Sequence, residues 1–337
     1  MKVTELYSCT LIGIEAHLVQ IETDITHALP SFQTVGLPDK VVKESKERVL
    51  SAIKNTGFQV PMQKIIVNLA PAELKKEGAG LDLAMAVGIL ISSKQIPVSK
   101  ETLKSFLFIG ELALNGDLRP VNGVLSIASN LQKLGFHKII LPKENADEAA
   151  LVDHIHIYPA ENLKKAIEII TNESNFTCYQ NKSDIHAETL NQYGMDFSDV
   201  KGQETVKRAI EIAAAGGHNM IMIGSPGTGK TMIARRIPTI LPKMSIEESI
   251  ETTKIHSSAG ILTSDSPIIK TRPFRAPHHT ISDAGLIGGG AIPKPGEVSL
   301  SHNGVLFLDE LPEFRRNVLE VLRQPLEDNI VTISRSN

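Results

Sequence analysis

His218-Asn219-Met220-Ile221-Met222-Ile223-Gly224-Ser225-Pro226-Gly227-Thr228-Gly229-Lys230-Thr231 is the stretch whose reading decides the fold class. Its apolar run, Met220–Ile223, is expected to be a strand, and a short helix is expected after Thr231. Between them stands a complete G-x-x-x-x-G-K-T loop. Its glycines let the backbone curl until several N–H groups point at one spot, and the N-terminus of the following helix adds its positive end there. Gly224, Ser225, Pro226, Gly227, Thr228 and Gly229 are therefore candidates to cradle phosphates. Lys230 is expected to reach the β- and γ-phosphates, and the Thr231 hydroxyl to ligate Mg²⁺, which prefers oxygen donors. Gly-rich turns before helices are common, so a second signal is needed.

Val305-Leu306-Phe307-Leu308-Asp309-Glu310 supplies it. A buried parallel strand reads as a continuous apolar run, and such folds bind ligands at the C-terminal ends of strands. Asp309 is the candidate to hold Mg²⁺ through its water shell, and Glu310 to orient and polarise an attacking water. Alone, a strand ending in Asp-Glu is more often the cap of the next helix. Together, the two motifs predict a P-loop parallel-sheet domain that binds ATP with Mg²⁺.

At 337 residues, with 42% hydrophobic and 22% charged content, the chain has the length for two domains and the composition of a soluble globular protein. Cys9 and Cys178 lie far apart and match no metal spacing, which points to a reducing cytosol. Glu5 and Glu15 interrupt any signal-peptide pattern, and the Leu83–Ile91 run is too short to span a membrane. A cytoplasmic protein with no membrane partner is the expectation. The net charge of −3 gives no bulk attraction to nucleic acid. It divides as −1 over residues 1–170, −3 over 171–198 and +1 over 199–337, and nine of the eleven arginines fall in the last segment. Arginine suits bidentate phosphate contacts, so any nucleic-acid contact is expected there, although most of these arginines individually read as solvated helix faces.

Along the front part, residues 8–27 read as strands, and Asp39 reads as the N-cap of a helix over Lys40–Asn55. That helix puts Val42, Val49, Ala52 and Ile53 on one face and stops at Gly57. Lys64–Leu69 is expected as a strand and Leu81–Ile91 as an apolar helix. Leu107–Gly110 and Leu118–Val121 are expected as strands around an Asn115-Gly116 turn. Val124–Leu134 is expected as a helix, Lys138–Leu141 and His154–Tyr158 as strands, and Asn162–Ile170 as a closing helix. His154 and His156, two apart on one strand, would share a face. No third ligand sits at a metal spacing, so a pair of strand histidines near solvent is the better reading. Residues 171–198, rich in Asn, Ser, Thr, Asp and Gln, are expected to be a mobile polar linker.

The back part opens with Asp199-Val200-Lys201-Gly202-Gln203 and an expected helix, Glu204–Ala215. Between the two phosphate-handling motifs, Arg272-Pro273-Phe274-Arg275-Ala276-Pro277-His278-His279-Thr280 and then Gly288-Gly289-Gly290 suggest a structured insertion with a glycine-rich tip. It reads either as a pore-facing element that grips substrate or as a loop satisfying its own backbone. The adjacent His278 and His279 are expected to point different ways. Beyond Glu310 a helix, Arg315–Gln324, and a strand, Val331–Ser334, are expected.

Lys76-Glu77-Gly78-Ala79-Gly80 and Gly116-Asp117-Leu118-Arg119-Pro120-Val121-Asn122-Gly123, continuing to Ile140-Leu141-Pro142-Lys143-Glu144-Asn145, resemble the Lon protease-like domain, an α+β fold like that of ribosomal protein S5. Where those proteases carry their Ser–Lys dyad, ungapped matching places Gly80 and Leu125, which offer neither nucleophile nor base. The resemblance implies a domain that kept the fold and lost the hydrolysis. The opening Asp199–Gln203 resembles the segment by which AAA+ ATPases contact adenine, which makes Val200 and Gln203 candidate base contacts, although a helix N-terminal turn explains them equally well.

Arg272–Thr280, Gly288–Gly290, Gly296–Gly304 and Asp309–Gln324 resemble the magnesium-chelatase branch of AAA+ ATPases. With the Lon-like part in front, the architecture is similar to the YifB/ComM family. That resemblance implies three segments: a Lon-like domain over 1–170 without its dyad, the linker 171–198, and an AAA+ domain over 199–337. It implies a ring, hexameric in the full-length protein, that hydrolyses ATP and drives branch migration of DNA in recombination or natural transformation, with Arg272, Arg275 and Arg335 as candidate DNA contacts. An ATP-driven protein remodeller like the chelatase motor subunit, or a non-motor ATP switch with a docking domain, are the alternatives. The sensor-1 residue, arginine finger and helical lid of the family lie further on than residue 337. The chain is thus expected to be a fragment that binds ATP weakly and turns it over poorly.

Overall fold

The computed structural model describes residues 3–76, 78–180, 193–262, 267–289, 293–328 and 330–331. The chain divides into two compact units, Met1–Ser183 with Thr263–Pro267, and Asp184–Leu262 with Ile268–Asn337.

The first unit is mixed α/β around a seven-stranded, mostly parallel sheet. Its order is Ser31–Val35, Lys64–Ala70, Glu15–Thr26, Thr4–Ile12, Phe106–Phe108, Lys138–Pro142 and His156–Ala160. Glu15–Thr26 runs antiparallel to both of its neighbours, and every other adjacent pair is parallel. Val19, Ile21, Thr23 and Ile25 alternate into the core, as a strand with one covered face requires. The cover is the helix Asp82–Ser92, whose residues from Asp82 to Leu90 are all buried. Gly88 permits the close approach: a Cβ there would stand 2.6 Å from Thr23 Oγ1 and 3.1 Å from Leu6 Cδ1. Asp39 caps Lys40–Asn55 by accepting from the Val42 N–H at 2.7 Å, and the expected face, Val42, Val49, Ala52 and Ile53, is buried. Arg48 on that helix donates to the buried Asp82 carboxylate at 2.6 Å and ties the two helices together.

Several local expectations change. Leu118–Arg119 pairs with Glu111–Leu112 around the Asn115-Gly116 turn, while Phe106–Phe108 belongs to the central sheet. The helix expected over Val124–Leu134 is regular only over Val124–Asn130. His154 has a left-handed backbone (φ 64°) and precedes the strand His156–Ala160, so the two histidines do not share a strand face. Among the described residues no group of three metal-ligating side chains forms. Within the expected linker, the Tyr179 N–H donates to the Ile157 carbonyl at 2.8 Å and its hydroxyl to Asp147 at 2.5 Å; Phe176 and Cys178 pack on the core. Local composition reads these residues as linker because their apolar anchors are sparse. Positions 181–192 of that linker lie outside the described residues, as does Glu77. No helix among the described residues is long and apolar enough to cross a membrane.

Gly88→Ala is expected to destabilise the first unit by about 1–3 kcal/mol, because the sheet and helix must separate to admit a methyl group. Chemical denaturation followed by circular dichroism checks it; an unchanged midpoint would show that the interface has room.

Candidate nucleotide site

The second unit builds its site from short elements. Glu204–Gly216 is helical, and Gly217 (φ 63°) ends it in the left-handed conformation. Phe197, Val200, Ile210 and Ile233 form the small core beneath the loop. Val200 is 1% exposed within that core, whereas Gln203 reaches toward the loop, its amide 3.4 Å from the Thr228 carbonyl.

In the loop, Gly227 (φ 82°) and Gly229 (φ 85°) adopt the positive φ that the curl demands and that a side chain resists. Thr228 donates its hydroxyl to the Ser225 carbonyl at 2.9 Å. The Lys230 ammonium donates to the Gly224 and Ser225 carbonyls at 2.8 and 3.0 Å, so it lies over the mouth of the loop. The helix that follows covers only Lys230–Ala234. Its dipole is correspondingly short, and the backbone N–H groups and Lys230 carry the attraction for an anion.

Met220–Ile223, expected as a strand, forms none, and Ile221 and Ile223 are 69% and 92% exposed. A strand needs a neighbour to satisfy its backbone, and none among the described residues pairs with this run. The second apolar run is a strand only over Val305–Leu306, parallel to Phe274–Arg275. The register continues one residue further, with the Phe307 N–H donating to the Arg275 carbonyl at 2.8 Å. This short ladder delivers Asp309 to the phosphate loop.

The Thr231 hydroxyl donates to Asp309 Oδ2 at 2.7 Å, joining residues 78 apart in sequence. The donors are a hydroxyl and a carboxylate, the chemistry a hard cation takes. The other Asp309 oxygen accepts from the Glu310 N–H at 3.0 Å. Glu310 sits at φ 53°, an uncommon angle for a non-glycine residue, and its side chain is 68% exposed. Among the described residues its carboxylate approaches His279, with Nδ1 at 3.5 Å from Oε2.

The insertion is more built than its composition suggests. Ser282 caps Asp283–Ile287, and Leu286 is buried with Phe314, Val318 and Leu322 from beyond Glu310. Gly288–Gly289 pairs with Lys294–Pro295; Gly290 lies outside the described residues. The His278 and His279 rings do not diverge. Their centroids are 4.0 Å apart, because the chain there is not extended and the alternation of a strand does not apply.

Arg272 and Arg275 also differ from expectation. Arg272 donates to the Pro242 carbonyl at 2.6 Å, the Asn303 carbonyl at 2.7 Å and Glu248 at 3.1 Å, and its side chain is 12% exposed. Arg275 is bidentate to Glu297 at 2.6 and 2.7 Å. Both guanidinium groups are committed within the unit, so neither is free for a phosphate backbone. Arg335 and most of the strand expected at Val331–Ser334 lie outside the described residues.

The family described as "Magnesium chelatase, subunit ChlI" matches residues 196–337, and that described as "Subunit ChlI of Mg-chelatase" matches residues 21–145. Competence protein ComM of Haemophilus influenzae is 45% identical over 342 residues, which take in 100% of this chain and 66% of that protein. YifB of Escherichia coli is 44% identical over 336 residues, or 100% of this chain and 65% of that protein. The chain thus spans about two thirds of the length of these relatives. Lon protease 2 of Bacillus subtilis is 26% identical over 174 residues, 46% of this chain and 30% of that protein.

Arg272→Ala is expected to lower stability by about 2–4 kcal/mol, since Glu248 loses its cation and two carbonyls lose their donor. The thermal or denaturant midpoint of the second unit reads it; a midpoint unchanged from wild type would mean that the arginine holds nothing.

Proposed function

The chain belongs to the YifB/ComM family of magnesium-chelatase-like proteins, a P-loop ATPase of AAA+ type, and from that premise we propose that it binds and hydrolyses ATP as part of a ring-forming motor acting on DNA. The observation that carries the nucleotide reading is the 2.7 Å contact between Thr231 and Asp309. Two motifs far apart in sequence meet where a metal–triphosphate needs both.

Each residue has a part in this reading. The backbone N–H groups of residues 224, 225 and 227–229 enclose the phosphates, and Lys230 exchanges its two carbonyl acceptors for phosphate oxygens. Thr231 and Asp309 hold Mg²⁺, which when bound would neutralise charge on the transferring phosphoryl group. Glu310 orients the attacking water. Gln203 is read as a base contact, whereas Val200, buried in the core, is not a direct one. Gly80 and Leu125 supply no nucleophile or base in the first unit: the Gly80 carbonyl accepts from Gly110 at 2.9 Å, and Leu125 is buried with its N–H on Glu148 at 2.9 Å. That unit is read as a docking module rather than a protease.

The DNA part of the reading rests on family membership, on a relative named for competence and on the arginine bias of the second unit. Because Arg272 and Arg275 are committed internally, the DNA contact is assigned to other cations of the full-length ring. An ATP-driven remodeller of a protein partner is the second reading, favoured by the near-neutral charge of the chain. Anisotropy with forked and linear DNA across a salt series separates the two. A motor on DNA loses affinity steeply as salt rises, whereas no binding by the full-length protein would favour the remodeller.

For the nucleotide, Lys230→Ala is expected to abolish ATP binding in equilibrium dialysis, while Glu310→Gln retains ATP and loses hydrolysis. Hydrolysis by the Glu310→Gln protein at the wild-type rate would remove Glu310 from its role.

A further inference from the structure

A cavity of 680 Å³ opens in the first unit, where the strand Thr4–Ile12 begins and the helix Asp82–Ser92 ends. That volume falls within the roughly 300–1,000 Å³ of small-molecule sites. Its floor is apolar: Ile25 and Leu103 are 8% and 4% exposed, and Ile91 and Val98 pack on the same core. Its rim is basic, formed by the exposed Lys94, Lys100 and Lys104. Lys100 and Lys104, four apart, share one face of the short helix Lys100–Ser105. Among the described residues none of the three lysines has an ion-pair partner. Two carboxylates, Glu5 and Asp24, also border the cavity. Their chain neighbours Leu6 and Thr23 face the helix at Gly88, so strand alternation puts Glu5 and Asp24 on the other face of the sheet. The apolar side is thus left to the lysines.

The backbone at Lys94 is a second observation. The Lys94 N–H donates to the Ile91 carbonyl at 2.9 Å and the Gln95 N–H to the Leu90 carbonyl at 3.0 Å, the paired bonds that end a helix through one left-handed residue. Lys94 is that residue, at φ 61°. Glycine is the usual occupant, because a Cβ is strained there. The chain accepts the strain and places a third cation at the rim. We propose that this cavity binds an amphipathic anion, with its apolar body on Ile25, Ile91, Val98 and Leu103 and its carboxylate or phosphate among Lys94, Lys100 and Lys104. Burial of the body supplies affinity, and the ammonium groups set its orientation and exclude cations. The site stands independently of the ATPase and DNA readings.

Titration calorimetry on the 337-residue chain tests it with two probes, decanoate and a short peptide of glutamates around one leucine. A free acid and an acidic segment of a partner protein carry the same chemistry, and whichever probe binds more tightly identifies the source. Decyltrimethylammonium, with the same body and the opposite charge, is expected to bind about tenfold more weakly than decanoate. Lys100→Glu combined with Lys104→Glu is expected to weaken the better probe about tenfold, since each reversal acts at a solvated rim. Lys94→Gly is expected to weaken it about threefold. The same change should raise the denaturation midpoint of the first unit, a pairing that damage to the fold would not produce. Failure of both probes to bind, equal affinity for the cation and the anion, or an affinity unmoved by the lysine changes would overturn the proposal.

Discussion

The hydrogen bond from the Thr231 hydroxyl to Asp309 is the contact on which the second unit turns. It joins the end of a curled glycine loop to the end of a two-residue parallel ladder, and neither element is large enough to fix the other by burial alone. The loop is mostly exposed, and the core beneath it holds only a few apolar side chains. Position is set instead by polar geometry. Gly227 and Gly229 give the curl, Lys230 bridges its mouth, and Asp309 accepts from Thr231 with one oxygen and from the Glu310 backbone with the other. Such a site is cheap to reshape around a ligand, because what must be broken are hydrogen bonds that phosphate and Mg²⁺ replace in kind.

Rigidity comes from around the site rather than within it. Arg272 clamps two carbonyls and Glu248, and Arg275 makes a fork on Glu297 from the same short strand that pairs with Val305–Leu306. The planar guanidinium suits both tasks, since its fixed fork loses little freedom for each bond made. These ion pairs lie beside the ladder that carries Asp309, and they hold its register where apolar burial is thin. The first unit solves the same problem by the opposite means, with a helix buried along its length against a seven-stranded sheet.

Much of this was legible in the residues, and most of the misses share a cause. The cap at Asp39, the buried helix at Asp82–Ser92 and the glycine geometry of the phosphate loop depend on near neighbours in sequence, and each formed as its pattern implies. The pairing of Thr231 with Asp309 was legible because two independent motifs demanded one ligand. Most of the failures are non-local. Met220–Ile223 has the composition of a strand, yet strands exist only with partners, which composition does not supply. Arg272 and Arg275 find carboxylates 24 and 22 residues away, and no periodicity reveals which acid an arginine meets. Two failures are local: His154 turns left-handed just before its strand, and the His278 and His279 rings meet at a tilt because their backbone is irregular. The contact between His279 and Glu310 had no signal beyond the presence of both residues.

The measurement that bears most directly on the shared metal site is the Mg²⁺ dependence of nucleotide affinity, read by titrating a fluorescent ATP analogue with and without the ion. Wild-type protein should bind more tightly with Mg²⁺. Thr231→Ala and Asp309→Asn should each lose that gain, the double variant should lose no more than either alone, and binding without Mg²⁺ should persist in all three. If the gain survives in both single variants, Thr231 and Asp309 do not share an ion, and the account of the site is wrong.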